Sequence, residues 1–203
     1  MILTSYFEEY YDKEILNYGG IKDVEFVRMS NMNFSKKQQL ELLEKIGYST
    51  INIMPLRQMF TDGKILVYTN PDLHNGMGKS IMSLSDALVM YRNSLCTELF
   101  DHSTTYKILQ VGFDCFSLEI ENEGLKEARL KSCILLGNGL PGLVNNKYPM
   151  YSIDFVRDNN GKLLACDLDV AVKLSHIEGL SECIRAEYVA EKLYRYLISR
   201  QEV

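Results

Sequence analysis

The chain of 203 residues carries 22 Lys and Arg against 27 Asp and Glu, a formal net charge of −5, with 46% hydrophobic and 24% charged residues. That length suits one domain, or a domain with a small lobe attached, and that composition builds a core instead of a disordered tail. The acidic balance argues against a protein whose main work is coating nucleic acid or anionic membrane, while leaving room for a local basic pocket for phosphates.

The five cysteines are widely spaced with no CxxC, so neither a disulfide framework nor a zinc knuckle is expected. The three histidines show no HExxH-type pairing. The N-terminus lacks the basic-then-apolar run of a signal peptide, and no apolar stretch approaches a membrane span. The expectation is a soluble, reduced, cytoplasmic protein with neither nucleic acid nor membrane as partner.

No repeat, low-complexity tract or Pro/Gly-rich linker interrupts the chain, which divides into a reduced N-terminal region over 1–60 and a main unit over 61–203. The first strand is predicted at Asp23–Arg28, after the Gly19-Gly20 break. Ser35 is a helix cap with Gln38 three residues on; Leu40, Leu42, Leu43 and Ile46 follow at helical spacing, and Gly47 is a natural stop. Lys64–Thr69 is a buried-strand candidate, followed by a loop containing Pro71, Gly76 and Gly78. Ser83 caps a second helix predicted to run to about Leu95, with Leu84, Leu88, Tyr91 and Leu95 on one face.

Tyr106–Val111 and Phe116–Glu121 flank a Gly112-Phe113-Asp114 turn and form a hairpin with one wet face. Gly124–Leu136 is predicted as a short helix ending in the Gly137–Gly142 loop. Met150–Arg157 and Lys162–Val170 flank Asp158-Asn159-Asn160-Gly161, a strong turn signal and hence a second hairpin. A last helix is predicted over Ser181–Ser199, with Ile184, Tyr188, Leu193 and Leu197 on its apolar side.

The chemistry concentrates in the second hairpin. If Arg157 and Lys162 close its turn, Asp154 lies opposite Ala165, Ser152 opposite Asp167 and Met150 opposite Asp169, so Asp154, Asp167 and Asp169 share one face. Diagonal neighbours on adjacent strands are roughly 7–8 Å apart, close enough for such carboxylates to converge on an ion. Oxygen-only ligands suit Mg²⁺ or Mn²⁺. The same alternation also fits an ordinary half-buried hairpin with its polar side in water. Three aspartates with no lysine at the central positions of that face tilt the reading toward an ion.

An aspartate, a turn, an acidic residue thirteen positions later and another Asp two beyond, in IDFVRDNNGKLLACDLDV, resemble the C-terminal metal-binding hairpin of the ATP-grasp family. In that family Asp and Glu-x-Asn hold Mg²⁺ against the phosphates of ATP; here the positions read Asp154, Asp167 and Asp169. A fainter likeness runs backward over about 36–180. LCTELFDHSTTYKILQVGFDCFSLEI is similar to the hinge strand and long hairpin, which implies adenine contacts from Glu98 and Leu99 and a basic residue at Lys107. VYTNPDLHNGMGKSIMSLSDAL is similar to the strand and glycine-rich lid over the phosphates, with Gly76 and Gly78 in the lid.

The usual strand lysine falls at Thr69, so the resemblance passes that charge to Lys79 or Lys64. The Pro-Gly that often follows the metal motif is Val172-Lys173, and the basic residue often found two before the first aspartate is Ser152. The resemblance implies an α+β fold of two small lobes of antiparallel sheet packed with helices, with ATP between them. It further implies a Mg²⁺-dependent ligase that joins a carboxylate, of a small molecule or a peptide, to an amine or similar nucleophile through an acyl phosphate. Lys79 and Lys107 would act on the phosphates.

Gly76-Met77-Gly78-Lys79-Ser80 also invites a second reading. A Walker A loop needs G-x-x-x-x-G-K-[ST] between a strand and a helix; Gly78-Lys79-Ser80 fits its end, but the first glycine position is Leu73. A glycine-containing surface loop, a lid and a P-loop all remain open, with the lid favoured. A P-loop phosphotransferase is therefore one alternative, and a non-catalytic nucleotide-binding or structural protein with the same fold is another. Cys115 and Cys166 are read as small core residues in strands, and His176 as a plain loop residue.

Overall fold

The structure is a computed structural model and describes residues 35–69, 78–123, 127–138, 150–169, 172, 174 and 176–199. The predicted strand at Asp23–Arg28 lies outside the described residues, as does Gly76. The chain forms two compact units: one holds His102–Phe155 and the segment from Leu168 onward, the other the described residues up to Asp101 together with Val156–Asp167.

The second of these begins with helix α1, Lys36–Lys45. Its start is a capping box: Ser35 Oγ accepts from the Gln38 amide at 3.3 Å while Gln38 Oε1 accepts from the Ser35 amide at 2.9 Å. Leu40 and Leu43 are buried on one side, and Gly47, at φ 100°, ends the helix. Strand β1 (Met54–Pro55), a single 3-10 turn at Leu56–Gln58, β2 (Lys64–Tyr68) and β3 (Lys79–Ser83) follow. Helix α2 (Leu84–Met90) and β4 (Leu95–Glu98) complete the set. The strands make an antiparallel sheet in the order β1-β4-β2-β3. Its core is Leu56, Met59, Ile65, Val67, Ala87 and Cys96.

Two expectations fail here. Ser83 caps α2 as predicted, its Oγ accepting from the Asp86 amide at 3.2 Å, but the helix stops at Met90 and does not reach Leu95. The Ser94 amide donates back to the Tyr91 carbonyl, and the Ser94 carbonyl accepts from the Leu56 amide at 3.0 Å. Leu95–Glu98 then pairs with β2 and buries Cys96 completely, so sheet pairing outweighs helical spacing. The second failure is the P-loop reading. Lys79 and Ser80 open a strand paired with β2, and the following helix begins only at Leu84, so no helix N-terminus stands behind Gly78-Lys79-Ser80 to receive phosphate.

In the other unit, β5 (Asp101–Val111) and β6 (Asp114–Glu123) form the expected hairpin, with Val111 opposite Asp114. Gly112 has φ 59°, and a Cβ there would stand 2.6 Å from the Lys192 carbonyl oxygen, so both conformation and close approach demand glycine. Residues predicted as a helix over Gly124–Leu136 instead carry β7, Glu127–Asn138. Its pairing with β6 jumps between Ser132 and Leu130 and between Gly137 and Leu135, leaving Lys131 and Leu136 as extra residues. These irregularities break the period-two alternation that marks a strand.

Strands β8 (Met150–Arg157), β9 (Leu163–Asp169) and β10 (Ile177–Glu178) complete a six-stranded sheet in the order β10-β7-β6-β5-β8-β9, with β10 parallel to β7. The last predicted helix is divided into α3 (Leu180–Cys183) and α4 (Ala186–Ile198), with the buried Ile184 between them. Leu109, Val111, Phe116, Leu118 and Ile120 from the sheet and Val189, Ala190, Leu193 and Tyr196 from α4 form the core of this unit. Leu109 and Leu118, at 0% exposure, each contribute about 1.5–3 kcal/mol.

The turn between β8 and β9 closes one residue tighter than predicted. The Asp158 amide donates to the Lys162 carbonyl and the Gly161 amide to the Asp158 carbonyl, both at 2.9 Å, with Gly161 at φ 82°. Asp158 Oδ1 also accepts from the Asn160 and Lys162 amides. The closing pair is Asp158 and Lys162, not Arg157 and Lys162.

Candidate functional site

Two buried lysines, each tied to a hairpin aspartate, organise the polar chemistry. In the unit built on β5–β8, Lys107 sits mid-strand with 7% exposure, because its partners are supplied by the neighbouring strand. Its Nζ lies 2.8 Å from Asp154 Oδ1 and donates to Ser152 Oγ at 3.3 Å. A lysine kept this dry stays charged only with such company. Ser152 is fully buried and accepts from this lysine on the neighbouring strand. Asp169, the last residue of β9, is half-buried.

In the other unit the organiser is Lys36, which no sequence motif marks. It opens α1 at 7% exposure and donates to Gln39 Oε1 at 3.1 Å, to the Cys166 carbonyl at 3.0 Å and to the carboxylate of Asp167. A cation in the first turn of a helix opposes the macrodipole, and α1 has no acidic residue there to compensate. That does not single out Lys36, since Lys37 beside it is exposed and pairs with Glu41 of the same helix.

Tyr68, at the end of β2, is 4% exposed. Burial pushes its phenol upward, and Cys166, Asp167 and Cys96 add to the effect, so the hydroxyl stays neutral at physiological pH. Lys79 is directly opposite Tyr68 in the β2–β3 register, with its Nζ 6.0 Å from the ring centroid. Gly78, at φ 73°, turns the chain immediately before it. Glu98 is exposed at the end of β4, opposite Ile65, and Leu99 beside it is 37% exposed.

The structure thus brings Lys107 to Asp154, Lys36 to Asp167, and Lys79 to Tyr68. Among the described residues no group of three His, Cys, Asp or Glu is gathered to hold a metal ion. Asp154 and Asp167 each have a lysine as counter-charge. Their donor chemistry still suits Mg²⁺, which binds through one or two carboxylates with substrate phosphates and water completing its shell, and needs no all-protein cage.

No protein-family model matches the sequence, and no curated protein does either. Solved structures do resemble it. The ATP-grasp ligase PsnB, complexed with minimal precursor, Mg and ADP, is 14% identical at a TM-score of 0.55, over 81% of this chain and 59% of that one. A RiPP-associated ATP-grasp ligase from Chryseobacterium gregarium, in complex with ADP and a leader and core peptide, is 14% identical at 0.54, over 82% and 60%. The D-alanine–D-alanine ligase of Helicobacter pylori is 10% identical at 0.53, over 81% and 58%. The chain therefore spans about three fifths of the length of these structures, and at such identities the likeness is one of fold.

Proposed function

From a chain that carries the fold of the ATP-grasp ligases, we propose an ATP-dependent ligase that activates a carboxylate by phosphorylation and passes it to an amine or similar nucleophile. The observation that carries this reading is the buried Lys107 beside Asp154 in the strand-and-turn motif that the sequence resemblance marks for metal and phosphate.

Lys107, Lys36 and Lys79 supply positive charge to the phosphates. Two of them are already desolvated and oriented by carboxylates, so phosphate meets a pre-positioned cation whose ordering cost is met during folding. Glu98 and Leu99 take the adenine end, the carboxylate accepting from an amino group and the leucine covering the ring. Gly76 and Gly78 allow the backbone near the phosphates to approach without side-chain interference.

Asp154, Asp167 and Asp169 would hold Mg²⁺, which supplies neutralisation of the charge that develops on the transferred phosphoryl group. Phosphoryl transfer of this kind asks the protein for positioning and charge more than for a nucleophile. The substrate oxygen attacks the γ-phosphorus, ADP leaves, and the acyl phosphate is then captured with release of phosphate. Exclusion of water protects that mixed anhydride. The peptide-bound neighbours favour a carboxylate on a peptide or on a small acid as the acceptor.

The test is the nucleotide product. The protein, incubated with ATP, Mg²⁺ and pools of peptides, amino acids, small acids and amines, is predicted to release ADP and phosphate in an acceptor-dependent way. Asp154→Ala should abolish that release. AMP and pyrophosphate as the main products would reject the acyl-phosphate route.

A further inference from the structure

One pair of thiols lies outside all of this chemistry. β10 runs parallel to β7, with Ile177 and Glu178 opposite Ala128 and Arg129. Gly179, at φ 82°, then turns the chain beside Leu130: a Cβ on it would lie 3.8 Å from the Leu130 Cβ. Helix α3 starts at the next residue and packs on β7, with backbones within 8 Å. Cys183 closes that helix and is exposed, while Cys133 on β7 is half-buried against the core of the same unit.

We propose that Cys183 and Cys133 are a redox-sensitive pair, which closes into an intramolecular disulfide when the exposed Cys183 meets a hydroperoxide. The Cys183 sulfur takes the distal oxygen of the peroxide as the O–O bond breaks, giving a sulfenic acid and water (or an alcohol). The Cys133 thiol, losing its proton, attacks that sulfur; the S–S bond forms, the S–O bond breaks and a second water leaves. Two thiols are oxidised by two electrons and one peroxide is reduced. A disulfide needs a Cα separation of roughly 4.4–6.8 Å, so closure asks α3, already packed on β7, to bring Cys183 to that distance from Cys133. Closure would staple α3 to β7, next to the exposed Ile134, Leu135 and Leu136.

Burial, with Cys183 nearby adding to it, pushes the Cys133 thiol up to about 11. The closing step is therefore slow at neutral pH and accelerates by up to about tenfold per pH unit above it, since the thiolate is the nucleophile.

Mild hydrogen peroxide treatment of the full chain, followed by blocking of free thiols and trypsin digestion, reads this directly. Cys133 falls in the tryptic peptide 132–147 and Cys183 in 174–185, each without another cysteine. The expected product is those two peptides linked, in a monomer, faster at pH 9 than at pH 7. At pH 9, a dimedone adduct on Cys183 should be more abundant in Cys133→Ser than in the wild type, whose closure consumes the sulfenic acid. Overoxidation of Cys183 without the link, a link to a different cysteine, or a disulfide between two chains would each overturn the proposal.

Discussion

At the scale of single residues, the decisive features are charges that folding has removed from water. Lys36 and Lys107 are each 7% exposed and paired with Asp167 and Asp154. Replacing either lysine by methionine keeps its apolar stem and deletes its donors. Each variant should lower ATP affinity by about tenfold to a hundredfold, the worth of a charge-assisted hydrogen bond at about 1.5–3 kcal/mol. Equilibrium titration with a nucleotide analogue checks this, and undiminished affinity in both variants would remove the lysines from the site. Asp114 offers a second case: it accepts from Tyr188 and lies 2.7 Å from the Lys192 ammonium. Burial pushes its carboxyl up, but the hydrogen bonds from Lys192 and Tyr188 and the Lys192 charge outweigh that and hold it below the usual range.

A depressed carboxyl contributes stability that is present above its unfolded value, near 4, and lost as pH falls through the folded one. Melting measured from about pH 5 down to pH 2.5 should therefore show less acid loss in Asp114→Asn than in the wild type, with the variant less stable at pH 7 by about 1–3 kcal/mol. Spacing and turn chemistry name the candidate hairpin aspartates, and the family resemblance names Lys107. Neither names Lys36, because its partners Cys166 and Asp167 lie far along the chain and no local motif announces them.

At the scale of elements, legibility follows locality. The capping box of α1 is written in Ser35 and Gln38, three residues apart; Ser35→Ala should cost about 1 kcal/mol. The β5–β6 hairpin was equally plain, because its alternation has no interruption. β7 lacks a strand's plain period in the sequence because Lys131 and Leu136 are extra residues in its pairing with β6. α2 is shorter than its helical spacing predicts because the pairing of Leu95–Glu98 with β2 is a tertiary effect.

A pair of glycines separates conformation from space. Gly112→Ala must strain a positive φ and also drive a Cβ into the Lys192 carbonyl, whereas a Cβ at Gly137, φ 99°, meets nothing within 4 Å. Chemical denaturation should show Gly137→Ala losing about 1–2 kcal/mol and Gly112→Ala clearly more. Equal losses would show that α4 does not press on the β5–β6 turn.

At the scale of the whole molecule, the chain spans about three fifths of the solved ligases it resembles and shares their fold at 10–14% identity. Fold carries no reaction with it, so function rests on the lysine–carboxylate pairs and on Lys79 opposite Tyr68. The measurement that bears most directly on this is a calorimetric titration of the full chain with a non-hydrolysable ATP analogue, with and without Mg²⁺. The predicted result is saturable binding at one site per chain, strengthened by Mg²⁺ in the wild type and no longer so in Asp154→Asn. Absence of binding at millimolar nucleotide, or a Mg²⁺ dependence identical in Asp154→Asn, would contradict the assignment of this chain as a nucleotide-using ligase with its metal and phosphate chemistry on the aspartate hairpin.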